Sequence, residues 1–226
     1  MKPLVISLGG SIVASAEIEF IRDISKIIRR EAEKRRVFIV AGGGKTAREY
    51  ISKARELGAD ESFLDEIGIS ATYLNAYLLM AALSPDSAPS IPKSFEEAMI
   101  LSKSYPIVVM GGTHPGHTTD AVAAMLAERL GADTLIDATS VNGVYTDDPI
   151  KNPNAKRIDR MTHRELIDLI MASASGGAGS NIIIDPMAAK IAERSSITLY
   201  VLNGRDLEAF ERAIKGRRFD GTVVEG

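Results

Sequence analysis

Three times in its first half the chain carries a short apolar run closed by adjacent glycines. Leu4 to Leu8 precedes Gly9-Gly10, Val37 to Ala41 precedes Gly42-Gly43-Gly44, and Ile107 to Met110 precedes Gly111-Gly112. Helical spacing follows the first two directly. Ile18, Ile21, Ile24, Ile27 and Ile28 predict a helix over roughly residues 17–34, and Ala47, Tyr50, Ile51 and Ala54 predict another from Lys45 to a stop at Gly58. The alternation then continues with an apolar helix near 65–83, a Pro- and Ser-rich surface loop over 84–94 with room for a short strand, and a helix from Asp120 to Leu130 stopped by Gly131. Leu135 to Ala138 and Thr198 to Leu202 read as further strands, and Asp185-Pro186 opens a helix to Arg194. Strands that alternate with helices are joined by crossovers, which place them parallel and need helices on both faces. The expected fold is α/β, a three-layer αβα sandwich around a mostly parallel sheet. Without an internal repeat or compositional break, residues 1–226 read as a single domain. The small-residue stretch 172–180 is expected to be mobile.

Composition removes several classes of function. Lys and Arg number 27 against 30 Asp and Glu, a net charge of −3 that disfavours a general nucleic-acid binder. Aromatics make up only 5% with no Trp, too few for base-stacking platforms. The absence of Cys excludes disulfides and thiolate metal sites. No uninterrupted apolar run approaches the roughly 18 residues of a membrane span, and the amino-terminal residues lead straight into a strand. A cytoplasmic protein without membrane or nucleic-acid partners is the expectation.

Glycine loops at strand ends suit phosphate binding, because backbone N–H groups and helix N-termini converge there and a Cβ would hold phosphate away. A single cluster reads more simply as a tight turn; three after successive strands favour several phosphate groups. Gly42 to Thr46 is not a P-loop, since the first glycine of that motif would fall at Ile39. Gly9-Gly10 lacks the third glycine of a dinucleotide fingerprint, which disfavours a nicotinamide dehydrogenase.

Gly111 to Ala121, GGTHPGHTTDA, packs two histidines, three threonines and an acid into a loop entering a helix. Capping by Thr118 or Thr119 needs only one of these. Pro115 and Gly116 preclude a helical His114–His117 metal pair, so protein-bound zinc is not expected. With the leading LGGS, the central GGGK and the later TSVNGVYTDDP, this ordered set resembles the amino acid kinase superfamily and, within it, archaeal-type uridylate kinases, over almost the whole chain.

The resemblance implies the amino acid kinase fold and transfer of the γ-phosphoryl group of MgATP to UMP, with Mg²⁺ entering alongside ATP. It implies that Gly9 and Gly10 contact ATP phosphates, with Thr139, Tyr145 and Asp148 on the ATP nucleoside side. Gly43, Gly44 and Arg48 would lie where the phosphates of both substrates meet. Asp65 would hold the ribose hydroxyls of UMP, and Thr113, His114, Pro115, Gly116, His117, Thr118 and Thr119 would bind UMP. Asp185 would stand near the transferring phosphate, and the subunits would form a homohexamer. Asp65 and Asp185 could each also cap a helix, and Tyr145 and Asp148 could lie in a simple turn. Many family members carry a lysine on the first strand where this chain has Ser7, and Ser140 stands where the bacterial enzymes have another. The catalytic cation must therefore come from elsewhere, with Arg48, Lys45 and Lys190 as candidates. A phosphate monoester is mostly dianionic at neutral pH, so no general base is needed. Other acceptors on the same fold, and a non-catalytic oxyanion binder, are the competing readings.

Overall fold

The computed structural model describes residues 1–147, 149, 151–174 and 184–226. The chain runs β1 (Leu4–Leu8), α1 (Gly10–Val13), α2 (Ile18–Ala32), β2 (Val37–Ala41), α3 (Gly44–Glu56), α4 (Glu61–Leu83), α5 (Phe95–Leu101), β3 (Ile107–Met110), α6 (Thr119–Leu130), β4 (Thr134–Thr139), β5 (Val144–Tyr145), β6 (Arg157–Ile158), β7 (Arg160–Met161), α7 (His163–Ala174), α8 (Pro186–Arg194), β8 (Thr198–Asn203), α9 (Leu207–Ile214) and β9 (Thr222–Val224). A seven-stranded sheet has the order β3-β2-β1-β4-β8-β9-β7. Its first five strands are parallel, β9 runs antiparallel to β8, and β7 is parallel to β9. β5 and β6 form a separate antiparallel pair.

The strands read as continuous apolar runs because both faces of the sheet are covered. Alternate residues point to opposite sides. Val5, Phe38, Val40, Val108 and Leu135 pack with α6, α7 and α8, whereas Leu4, Ile6, Ile39, Val109 and Ile136 pack with α2, α4 and α9. These are the three layers expected from the alternation of elements.

Helix ends follow local chemistry. Gly131 takes the left-handed conformation at φ 64° and closes α6, while Asp185 and Pro186 start α8. α4 begins at Glu61, not near Asp65, because Asp60 caps it by accepting from the Phe63 N–H at 2.8 Å. The 84–94 loop is partly buried: Ser87 forms a parallel bridge with Ile107, and Ala88 is covered. Of the expected mobile stretch, residues 172–174 end α7, and the remainder lies outside the described residues.

By length and composition α4 could cross a membrane, with a mean hydropathy of 1.2. Its inner face instead closes the sheet: Leu64, Ala71, Ala76, Leu79 and Leu83 are buried, and the helix packs against α2, α3 and β3. Leu79→Ala should cost about 2–5 kcal/mol in urea denaturation. Leu78→Ala, at a site 38% exposed, should change stability by less than about 1 kcal/mol.

Candidate active site

The carboxyl ends of β1 and β2 are locked together backbone to backbone. A Cβ on Gly10 would lie 2.1 Å from the Gly44 nitrogen, and one on Gly42 would lie 2.5 Å from the Gly10 nitrogen. Close loop packing thus requires these glycines independently of any ligand. Only Gly44 needs left-handed freedom, at φ +61°, whereas Gly9 and Gly43 have negative φ. Gly9 also donates to the Ala138 carbonyl, and Thr139 accepts from Gly204, which draws the ends of β4 and β8 to the same edge.

α4 supports the neighbouring loops through residues that no sequence motif singled out. Asn75 is buried and donates through Nδ2 to the carbonyls of Gly42 at 2.7 Å and Gly43 at 3.3 Å. Thr72 Oγ1 accepts from Gly112 N–H at 2.9 Å, and the Tyr73 hydroxyl donates to the Gly112 carbonyl at 3.1 Å. One face of one helix therefore sets the spacing between the second and third glycine loops. Their only advance signal was polarity within an otherwise apolar helix.

Between these loops lies a cavity of about 280 Å³. Its walls include Gly43, Gly44, Arg48 and Asp65 from one side and His114, His117, Thr118 and Thr119 from the other. Asp65 Oδ2 accepts from the Gly116 N–H at 2.7 Å, pinning the 113–119 loop across the opening. Thr118 caps α6 by accepting from Ala121 N–H. His114 and His117 meet edge to face at 6.3 Å, and the His117 Nδ1 is buried without a hydrogen-bond partner among the described residues. Thr113, Pro115 and Gly116 belong to the same loop but do not line the cavity.

The candidate cations separate by position. Arg48 lines the cavity one turn into α3, aided by the positive end of that helix. Lys45 projects outward and pairs with Glu49 at 3.7 Å. Lys190 is exposed on α8 and is not among the cavity walls. Tyr145 lies on strand β5, so it is not part of a simple turn; its hairpin is tied to the sheet by Val144 N–H donating to Thr222 Oγ1 at 2.8 Å. Asp148 lies outside the described residues.

Behind the cavity is an acidic group. Ser7 on β1 stands beside Asp137 on β4, and its hydroxyl donates to Asp120 Oδ1 at 2.6 Å. Burial raises the Asp137 carboxyl well above the ordinary aspartate range, and the charge of Asp120 raises it further. Asp120 is raised by burial and by Asp185, with the Ser7 hydrogen bond opposing them. Asp185 caps α8 by accepting from the N–H groups of Met187 and Ala188 while also facing Asp120, so both of its anticipated roles are compatible. Among the described residues these buried carboxyls form no ion pair, so they either keep their protons or take up a cation. Magnesium suits them, since it commonly binds through one or two carboxylates with the remaining positions filled by water and phosphate.

A family model described as the amino acid kinase family matches residues 2–203, and the chain belongs to that family. It is 51% identical over 221 residues to the uridylate kinase of Archaeoglobus fulgidus, covering 98% of this chain and 99% of that one. Identity to the uridylate kinase of Methanocaldococcus jannaschii is 48% over 227 residues, with 99% of each covered. The crystal structure of the Archaeoglobus fulgidus uridylate kinase matches with a TM-score of 0.89 at 50% identity, over 99% of this chain and all 100% of that one. That of UMP kinase from Ureaplasma parvum matches at 0.76 with 25% identity, over 100% and 99% of the two chains.

The raised carboxyl has a consequence for stability. A folded state that holds an acid's proton more tightly than the unfolded chain loses stability as pH rises from the ordinary value through the raised one. Without divalent metal, Asp137→Asn should therefore raise the melting temperature at about pH 8, with the gain vanishing near about pH 4. Thermal melts in EDTA at the two pH values check this. The same substitution should lower kcat by about 10²-fold.

Proposed function

We infer that this chain is a uridylate kinase: it transfers the γ-phosphoryl group of ATP to UMP, giving UDP and ADP. The observation that carries the reading is the single cavity in which the glycine loop, Arg48, Asp65 and the 114–119 segment meet. Relatives named uridylate kinase, 48–51% identical along nearly their whole length, support it. They also support treating residues 1–226 as one catalytic unit in the cytoplasm.

UMP occupies the cavity beside α4. Asp65 has one oxygen committed to Gly116 and the other available to ribose hydroxyls. The unpartnered Nδ1 of His117 and the hydroxyls of Thr118 and Thr119 supply polar contacts. ATP takes the adjoining edge, its phosphates at Gly9, Gly10 and Gly44 and its nucleoside toward Thr139, Tyr145 and Asp148. The two phosphate chains meet at Gly43, Gly44 and Arg48. In the reaction the bond from γ-phosphorus to the β,γ-bridging oxygen breaks, and one forms to an oxygen of the UMP phosphate. That oxygen is already deprotonated, so the chain's task is alignment and charge stabilisation. Asp120 and Asp137, flanked by Ser7, would hold Mg²⁺, which neutralises charge on the phosphates when bound. This fits a first strand that carries no lysine. The outer face of α4 leaves Phe63, Leu74 and Tyr77 more than half exposed. That apolar surface supports assembly with further copies of the chain, in keeping with the expected hexamer.

An acceptor panel with MgATP, read by ADP release, tests the assignment. UMP should exceed AMP, GMP and N-acetylglutamate by about 10⁴-fold in kcat/KM, because polar groups shaped to one ligand are left unpaired by another. Comparable turnover of N-acetylglutamate would contradict the assignment, and binding of UMP and ATP without turnover would leave only an oxyanion binder.

Arg48 is the chain's own cation at the junction. Arg48→Ala should lower kcat/KM by about 10²-fold, roughly 3 kcal/mol, with kcat itself reduced. Arg48→Lys should recover little, since a point charge does not replace a planar fork that spans two phosphates. Near-normal turnover in Arg48→Ala alongside loss in Lys45→Ala or Lys190→Ala would move the role to that lysine.

A further inference from the structure

A cavity of about 650 Å³ lies along β9 and β7 at the other end of the sheet order from β3. It shares no lining residue with the cavity beside α4. Five arginines face it, Arg157, Arg160, Arg212, Arg217 and Arg218, against three acids. The acids are committed to two of those arginines: Arg157 pairs with Asp159 and Asp220, and Arg160 with Glu225. Arg212 pairs with Glu208, which lies outside the cavity wall. Arg217 and Arg218 are exposed and form no ion pair among the described residues, although Arg217 lies near enough to Glu211 to favour its ionised form.

Such a concentration of guanidinium groups on a chain of net charge −3 has to be explained locally. The neighbouring cavity, about 410 Å³, shares Tyr200, Gly216 and Arg217 with it and adds Lys34 and Arg35, both paired with Glu31 on the same wall, and Lys215, paired with Glu211. The two form one basic groove. At its wall the Tyr200 and Phe219 rings pack at 5.1 Å, both partly exposed. Unpaired guanidiniums bind phosphate oxygens through planar, charge-assisted hydrogen bonds, and an aromatic pair that is partly exposed at a cavity wall can meet a flat ring. The volume lies in the range of cavities that enclose a small ligand.

We propose that this groove is a second nucleotide site, holding the phosphates of a nucleoside polyphosphate on Arg217 and Arg218 and its base against Tyr200 and Phe219. It goes beyond the phosphoryl-transfer reading and uses none of the residues assigned there.

The test is equilibrium dialysis of ATP against the full chain whose substrate cavities are saturated with a bisubstrate analogue linking adenosine and uridine through phosphates. One further ATP per chain is expected. Its affinity should fall at least about tenfold in the Arg217→Ala, Arg218→Ala double variant and should weaken steeply with salt. Because both arginines are exposed, the double variant should keep the wild-type melting temperature and basal kcat. Inorganic tripolyphosphate, dialysed in parallel, should bind at least about tenfold more weakly than ATP. No binding beyond the analogue, or binding unchanged in the double variant, overturns the site. Tripolyphosphate binding as tightly as ATP overturns the nucleotide assignment. The acceptor panel is read by turnover at the other cavity, so failure of either proposal is distinguishable from failure of the other.

Discussion

The contact on which the site depends is the one between Gly10 and the Gly42–Gly44 loop. Any side chain at Gly10 or Gly42 would drive backbone into backbone at 2.1–2.5 Å, so the two loops approach this closely only without a Cβ. That approach aligns the amino ends of α1 and α3 at one edge of the sheet. The backbone N–H groups left free at a helix start then face the same space. Asn75 completes the arrangement by donating to the buried Gly42 carbonyl and to that of Gly43, which also accepts from Ala47 N–H. The glycines at Gly10 and Gly42 are thus required by how the loops pack, whatever ligand those loops hold.

Charge is distributed across this edge with a clear division. The Arg48 guanidinium and the start of α3 lie on the cavity side, whereas the buried carboxyls of Asp120 and Asp137 group with Ser7. A first strand bearing Ser7 in place of lysine leaves those acids without a protein cation. The pair is consequently least comfortable when deprotonated, because burial penalises both charges and each acid is repelled by a neighbouring carboxylate.

α4 links several of these features. Its inner face supplies buried leucines to the sheet, its polar positions at Asp65, Thr72, Tyr73 and Asn75 hold two loops, and its outer face remains apolar. A helix with such varied duties has no tidy amphipathic pattern. That is why its residues read from the sequence as an undifferentiated apolar helix with an uncertain start.

Much was legible in the linear order of residues. The strand-length apolar runs, their glycine endings and the caps at Gly131 and Asp185-Pro186 act over a few residues, so they specified the parallel sheet and most helices without tertiary information. Helices α5, α7 and α9 escaped notice, although Ser94 with Glu97 and Thr162 with Glu165 form capping pairs at the first two. Arg48, Asp65 and the 113–119 loop were recognisable because they sit in dense motifs. The Ser7, Asp137 and Asp120 grouping was not, since Ser7 lies more than a hundred positions from either acid and meets them only through strand register and one hydrogen bond. The arginine groove was equally hidden, with its charges drawn from β6, β7, α9 and the loop before β9. Local patterning determined which elements form and where they end; only the packed sheet decided which distant charges face one another, because Coulomb energy and desolvation depend on separation in space and not along the chain.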